Sequence, residues 1–438
     1  MSASNSLYQH FLNHRTICTD TRSITKDCLF FALKGENFDA NSFAAQALNL
    51  GAAYAVIDNP DFSIDQRCIL VPDVLTALQE LAKYHREQLN IPVIGLTGSN
   101  GKTTTKELIN AVLSEKYMTF ATKGNLNNHI GVPLSLLSLT EETEIAVIEM
   151  GANHQKEIEF LCELAQPTHG LITNVGMAHL DGFGGFEGVK KGKAELFTYL
   201  KKHDGTAFIN RNNPYLLEMT AAADLTKTVY YGTEANNTIS GTLLKTDPFL
   251  ELSWSAEGES HQGKNYQVHT QLTGAYNFEN ILAAIVISHF FGLTPAQINA
   301  GLSGYQPKNN RSQLSKTDKN TVICDFYNAN PSSMIAALAN IESLSADKKV
   351  VIIGDMFELG NEAAAQHQLI ISEAENTHVN TLIFIGKHFF EEKGQHRGHF
   401  FQSPAEAKEF LTRESITDSL VLLKGSRGMA LEQLLPLL

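Results

Sequence analysis

Ile91-Pro-Val-Ile-Gly-Leu-Thr97 runs directly into Gly98-Ser-Asn-Gly-Lys-Thr-Thr104. The first half is β-branched and apolar and reads as a strand buried on both faces. The second half reads as a tight turn that opens a helix over residues 103–114. Glycines let backbone N–H groups turn inward around phosphate oxygens, and a helix N-terminus adds partial positive charge. Lys102 supplies a point charge and Thr103 a hydroxyl for Mg²⁺, with Gly98, Ser99, Asn100, Gly101 and Thr104 completing the cradle. The residue five before Gly101 is Leu96, so the pattern is the short G-x-x-G-K-T rather than the usual G-x-x-x-x-G-K-[ST].

Working outward, buried-strand patterns recur at 144–149, 170–175 and 206–210, each separated by a helix-length segment. Such alternation implies right-handed crossovers and a mostly parallel sheet covered on both faces. Ligands of such sheets sit at the C-terminal ends of the strands. Ile145-Ala-Val-Ile-Glu149 ends on a carboxylate, and His179 follows shortly after the next strand. Both are candidate metal ligands on the loop's side of the sheet. In the following helical stretch, Lys190, Lys191 and Lys193 taken alone read as a solvated basic face with a Glu187–Lys191 pair.

Short apolar runs at 29–33, 53–57 and 68–71, with helical patterns at 42–50 and 74–89, mark a small α/β domain before this one. Residues 228–274 break the rhythm with short alternating stretches that read as antiparallel hairpins, and helices at 276–291 and 295–302 follow. Gly304-Tyr-Gln-Pro-Lys-Asn-Asn-Arg311 is polar and reads as a linker. Strands at 321–325, 349–353, 381–385 and 420–423 then rebuild a Rossmann-like domain. The expected fold is therefore α/β in three domains: 1–89, a central phosphate-loop domain 90–311 and a C-terminal domain 312–438.

The 438 residues carry 34 Lys and Arg against 47 Asp and Glu, a net charge of −13 that disfavours nucleic acid and anionic membranes as partners. Cys18, Cys28, Cys68, Cys162 and Cys324 form no C-x-x-C pair and are odd in number, so reduced thiols in a cytoplasmic protein are expected. The first ten residues show neither the basic nor the apolar region of a secretory signal, and the longest apolar stretch, 281–291, is interrupted by Ser288 and His289. Neither secretion nor membrane insertion is expected.

The assembled motifs resemble the Mur ligases of bacterial cell-wall synthesis. The resemblance rests on Thr19-Asp-Thr-Arg-Ser23 and Leu29-Phe-Phe-Ala-Leu-Lys-Gly35, then Gly98 to Thr103, Gly124-Asn-Leu-Asn-Asn-His-Ile-Gly-Val-Pro133, Ala178-His-Leu180 and Tyr276-Asn-Phe-Glu-Asn280. In the last domain it rests on Asp325-Phe-Tyr-Asn-Ala-Asn-Pro331, Gly354-Asp-Met-Phe-Glu-Leu-Gly360 and Lys424-Gly-Ser-Arg427. The short phosphate loop is shared with folylpolyglutamate synthases, whereas the Asn-rich stretch and the motifs at 325–331 and 354–360 favour the branch that ligates D-alanyl-D-alanine to UDP-N-acetylmuramoyl-tripeptide.

That resemblance implies an ATP-dependent amide ligase working as a monomer through an acyl phosphate. It implies a pair of Mg²⁺ ions, one at Thr103 and one held by Glu149, His179 and a carbamylated Lys193, with Lys190 as the reserve. Lys102, Glu149, His179 and Lys193 become the catalytic set. Asn277 and Asn280, three apart on one helical face, suit the adenine edge or a helix cap. Arg311 and Asp325 would reach the nucleotide from the other side. Thr21, Arg22 and Ser23 are placed at the uridine diphosphate. Asn125, Asn127 and Asn128 suit a sugar or peptide, or an Asn-rich turn held by its own backbone. Tyr327, Asn328 and Asn330 are placed on the dipeptide side. The rival readings are another ligase of the superfamily, a non-catalytic UDP-sugar binder, and a phosphate-loop ATPase. The last is weakened because Ile145 to Glu149 lacks paired terminal acids.

Overall fold

The computed structural model describes residues 3–258 and 264–438, so Met1, Ser2 and part of the 228–274 stretch lie outside it. The chain forms three main sheets. The first orders its strands Ile17–Cys18, Leu29–Phe31, Tyr54–Ile57 and Cys68–Leu70, all parallel. A helix not evident from the sequence, Ala3–Asn13, packs Leu7 and Phe11, four apart on one face, into its core. That core is continuous with the central one: Leu29 and Phe31 share a cluster with Ala146, Ile148 and Ile209.

The central sheet has nine strands. From one edge they run Tyr266–His269, Glu251–Ala256, Ile239–Lys245, Thr228–Gly232, Thr206–Asn210, His169–Ile172, Val93–Thr97, Ile145–Glu149 and Thr119–Ala121. The reading of 228–274 as hairpins needs correction. Thr228–Gly232 pairs parallel with Thr206–Asn210, and Ile239–Lys245 pairs parallel with it in turn. Only the two pairings that Glu251–Ala256 makes, with Ile239–Lys245 and with Tyr266–His269, are antiparallel. The reason is burial: Tyr231 and Ile239 are interior, as in the middle of a parallel sheet, and polar neighbours disguise this in the sequence.

Helices Lys102–Leu113 and Asn277–Phe290 cover one face of the central sheet. Leu108, Ile109, Val112 and Leu113 of the first meet Ile281, Leu282 and Ile285 of the second. The third sheet orders Gln313–Lys316, Thr321–Asp325, Leu420–Lys424, Lys349–Gly354, Thr381–Ile385 and His399–Phe401. All pairs are parallel except the first. Its cores contain only residues beyond 313, and among the described residues no apolar cluster joins it to the central sheet. No described helix is long and apolar enough to cross a membrane.

Candidate active site

Val93–Thr97 lies between Ile145–Glu149 and His169–Ile172, with Leu96 opposite Glu149 and Thr97 opposite Ile172. Parallel pairing thus brings three strand ends to one point. The turn from Gly98 to Gly101 fills it. Gly98 has φ +145° and Gly101 φ +76°, and a Cβ on Gly101 would stand 2.7 Å from Asn280 Oδ1. Neither position accepts a side chain without strain. Gly101 ends the turn and Lys102–Leu113 begins.

The loop is braced by the neighbouring strand end. Asn100 N–H donates to Asn174 Oδ1 at 3.0 Å, and Thr173 Oγ1 and Asn174 Nδ2 donate to Asn100 O at 2.6 and 3.1 Å. Ser99 exchanges hydrogen bonds with the backbone of Gly176. Lys102 folds over the loop, its Nζ donating to Gly98 O at 2.8 Å and Ser99 O at 3.2 Å. Burial pushes its ammonium down to about 8, against the attraction of Glu149. An anion bound here would strengthen that charge.

Glu149 is buried and surrounded by donors. Thr103 Oγ1 lies 3.0 Å and Asn127 Nδ2 2.8 Å from its two oxygens, and its N–H donates to Thr122 Oγ1 at 3.0 Å. A hydroxyl and a carboxylate side by side are the oxygen donors a hard cation such as Mg²⁺ takes. A second set is not gathered in the same way. His179, at φ +53°, pairs with Glu358 from the third sheet's side of the cleft. Lys193 is buried against Ala152 O at 3.4 Å, and burial holds its amine well below the usual lysine range. Among the described residues no group of three His, Cys, Asp or Glu stands together as metal ligands. Lys190, the reserve, instead pairs with Glu187 and Glu218, which replaces the expected Glu187–Lys191 pair.

The loop faces a cleft of about 590 Å³. Every candidate site residue read from the sequence lines it except Gly98, Thr103, Lys193, its reserve Lys190 and the Thr21–Ser23 turn. In that turn Arg22 is exposed and paired with Asp20. Asn277 and Asn280 are buried partners, Asn280 Nδ2 donating to Asn277 Oδ1 at 2.9 Å, and Thr105 Oγ1 donates to Asn280 Oδ1 at 3.0 Å. Asn125 lines the cleft beside Asn127, while Asn128 Oδ1 accepts from the N–H groups of Ile130 and Gly131.

The opposite wall comes from the third sheet. Asp325 Oδ2 accepts from Lys424 Nζ at 2.7 Å and its Oδ1 from Ser312 N–H at 3.2 Å, and Lys424 also reaches Asn328 O. Two guanidiniums approach the Tyr327 ring, Arg311 at 3.8 Å and Arg427 at 5.0 Å from its centroid. Asn330 caps the helix Pro331–Ser343 and donates to Asn100 Oδ1 at 2.7 Å, while Asn100 Nδ2 donates to Ser332 Oγ at 2.8 Å. The phosphate loop is therefore bonded directly to the third sheet's first helix. Asn174, Ser332, Lys424, Glu358 and Lys106 were not anticipated. Glu358 and Lys424 lie within the motifs at 354–360 and 424–427 and Asn174 within the 170–175 strand pattern, but the pairings of Asn100 with Asn174 and Ser332 span 74 and 232 residues.

Comparison with protein families decides the relationship. The family model described as the Mur ligase middle domain matches residues 96–288, and that of the Mur ligase glutamate ligase domain matches 310–427. The chain belongs to the Mur ligase family. Mur ligases are ATP-dependent enzymes that form amide bonds. A full-length relative, the UDP-N-acetylmuramoyl-tripeptide--D-alanyl-D-alanine ligase of Bacillus subtilis, is 37% identical over 98% of this chain and 94% of its own length. Among solved Mur ligases, MurF from Acinetobacter baumannii is 32% identical, with TM-score 0.85 over 96% of this chain and 92% of that one. MurF from Thermotoga maritima in complex with ADP shares the fold, with TM-score 0.84 at 24% identity, over 97% of each chain.

Proposed function

We propose that this Mur ligase joins D-alanyl-D-alanine to UDP-N-acetylmuramoyl-tripeptide at the expense of ATP. The observation that carries the reading is the single cleft in which the phosphate loop meets the Asp325–Asn330 wall of the third sheet. Full-length similarity to ligases named for that reaction supports the choice of substrates. We place the domain divisions at 89/90 and 311/312 and take the protein to act as a cytoplasmic monomer.

The backbone N–H groups of Gly98 to Thr104 and the start of Lys102–Leu113 hold the ATP phosphates, with the Lys102 ammonium swinging from the loop carbonyls onto them. Asn277 and Asn280 face the adenosine from one wall, Arg311 and Asp325 from the other. The tripeptide's terminal carboxylate attacks the γ-phosphate, ADP leaves, and the dipeptide amine then displaces phosphate from the acyl carbon. Carboxylate and triphosphate repel, so positioning and neutralisation dominate.

Mg²⁺ at Thr103 and Glu149, and a second ion at Glu149, His179 and a carbamylated Lys193, would supply charge neutralisation. Burial lowers the basicity of the Lys193 amine, which favours the uncharged form that carbamylation requires. Asn125, Asn127 and Asn128 would take the sugar or peptide, Thr21, Arg22 and Ser23 the uridine diphosphate, and Tyr327, Asn328 and Asn330 the dipeptide. The hydrogen bonds that Asn100 gives to Ser332 and accepts from Asn330 hold the two walls together around the acyl phosphate and help exclude water.

The test is phosphate release from MgATP with UDP-MurNAc-tripeptide, with and without D-alanyl-D-alanine. Release that needs both, with pentapeptide as product, is the expected result. Release indifferent to both would leave a phosphate-loop ATPase.

A further inference from the structure

Lys106 is a wholly buried cation that the proposed mechanism does not use. It lies one turn beyond Thr103 on the same helix, with no exposed side-chain surface. Its Nζ donates to Thr122 O at 2.6 Å, reaches Gly124 O at 3.5 Å, and stands 3.1 Å from Glu107 Oε1 and 3.7 Å from Glu149 Oε2. A buried ammonium persists only where partners compensate for its lost hydration. Here they come from three elements: the phosphate-loop helix, the strand that ends at Glu149, and the segment leading into the Asn-rich loop.

Thr122 links these elements. Its carbonyl takes the Lys106 ammonium while its hydroxyl accepts the Glu149 N–H at 3.0 Å. Five residues on, Asn127 donates to Glu149 Oε1 at 2.8 Å and its carbonyl accepts the Gly151 N–H at 2.7 Å. Asn125 and Asn127 line the cleft from this loop. The loop has few apolar anchors before Val132, and Leu126 is exposed. Its position relative to the phosphate loop therefore depends on polar ties, and Lys106 is the charged one.

We propose that Lys106 is a positioning residue that locks the 122–128 loop and Glu149 to the phosphate-loop helix, so that the acceptor-side loop is in register with the nucleotide. The part concerning the acceptor rests on the ligase reading above; the part concerning the loop does not. Lys106→Met keeps the buried stem and removes the donor and its charge. Lys106→Gln keeps a shorter, uncharged donor.

Hydrogen exchange of the full chain, read by mass spectrometry, should show about tenfold faster exchange in peptides covering 122–130 for Lys106→Met, with the 349–424 sheet unchanged. In the ligation assay, the KM for UDP-MurNAc-tripeptide should rise about tenfold while that for ATP moves less than about threefold, with Lys106→Gln partway back on both readouts. Uniformly faster exchange over the whole chain, with both KM values unchanged, would overturn the proposal in favour of a general packing role. Unchanged exchange at 122–130 would overturn it too, as would failure of both variants to fold. If wild-type protein makes no pentapeptide, the ligase reading fails, and the exchange comparison still decides the role of Lys106.

Discussion

Gly101 shows how little latitude a single position has. Its φ of +76° and its approach to Asn280 leave no room for a methyl group, so Gly101→Ala strains the turn and pushes on a cleft-lining amide. We expect a loss of about 1–2 kcal/mol in urea unfolding and at least a tenfold weaker affinity for ADP by calorimetry. Lys102→Ala leaves the turn intact but removes the charge over it. Its kcat should fall about 10²-fold or more with the melting temperature within a few degrees of wild type.

His169 makes a pH prediction. Packed against Phe208, Phe290 and Phe291, it is held by burial at about 4, well under the usual 6.5. The unfolded chain therefore takes up this proton first as pH falls. The stabilising contribution is complete above pH ~6.5 and is lost progressively down to pH ~4, amounting to about 3 kcal/mol at most. Denaturant titrations at pH 7.5, 6 and 5 should show that decline, and His169→Phe should flatten it.

At the scale of elements, the helix Pro331–Ser343 carries two duties at its first residue. Asn330 caps it, accepting from Ser333 N–H at 2.9 Å, and also reaches Asn100. Asn330→Ala should cost about 1 kcal/mol from the cap, and nucleotide affinity should fall as well through the lost link to the loop. Asn330→Asp, which caps as well but cannot donate to Asn100, separates the two: the melting temperature recovers and the affinity does not.

The strand, turn and helix from Val93 onward were legible because glycine spacing and apolar runs are local signals. So was Glu149, which ends a run of buried residues. The cap duty of Asn330 was not, since its second partner is 230 residues away. Nor was the parallel pairing of Thr228–Gly232, where alternation in sequence hides burial on both faces. Lys106 looked like any lysine on a helix, and only the packing of three elements around it shows that it is interior.

For the whole molecule, the cleft walls belong to two bodies with separate apolar cores. Their connections among the described residues are polar, among them Asn100 with Ser332 and Asn330, Tyr276 with Ser312, Asn340 Nδ2 to Thr273 Oγ1, and the His179–Glu358 pair. A ligand gripped by both walls should couple their unfolding. In scanning calorimetry, MgADP at about 100 times its Kd should add roughly 2.7 kcal/mol and draw the transitions together. If only the first transition moves, the third sheet contributes nothing to binding.

The contrast between the two junctions also governs motion. The first and central sheets share one apolar core, so parting them would wet leucines and phenylalanines. Among the described residues the third sheet meets the rest through amides, hydroxyls and the His179–Glu358 pair, all groups that water can also satisfy. Were that lobe to swing away, no apolar core would be split, so the jaw would open without wetting a greasy interior or offering neighbouring molecules one to stick to.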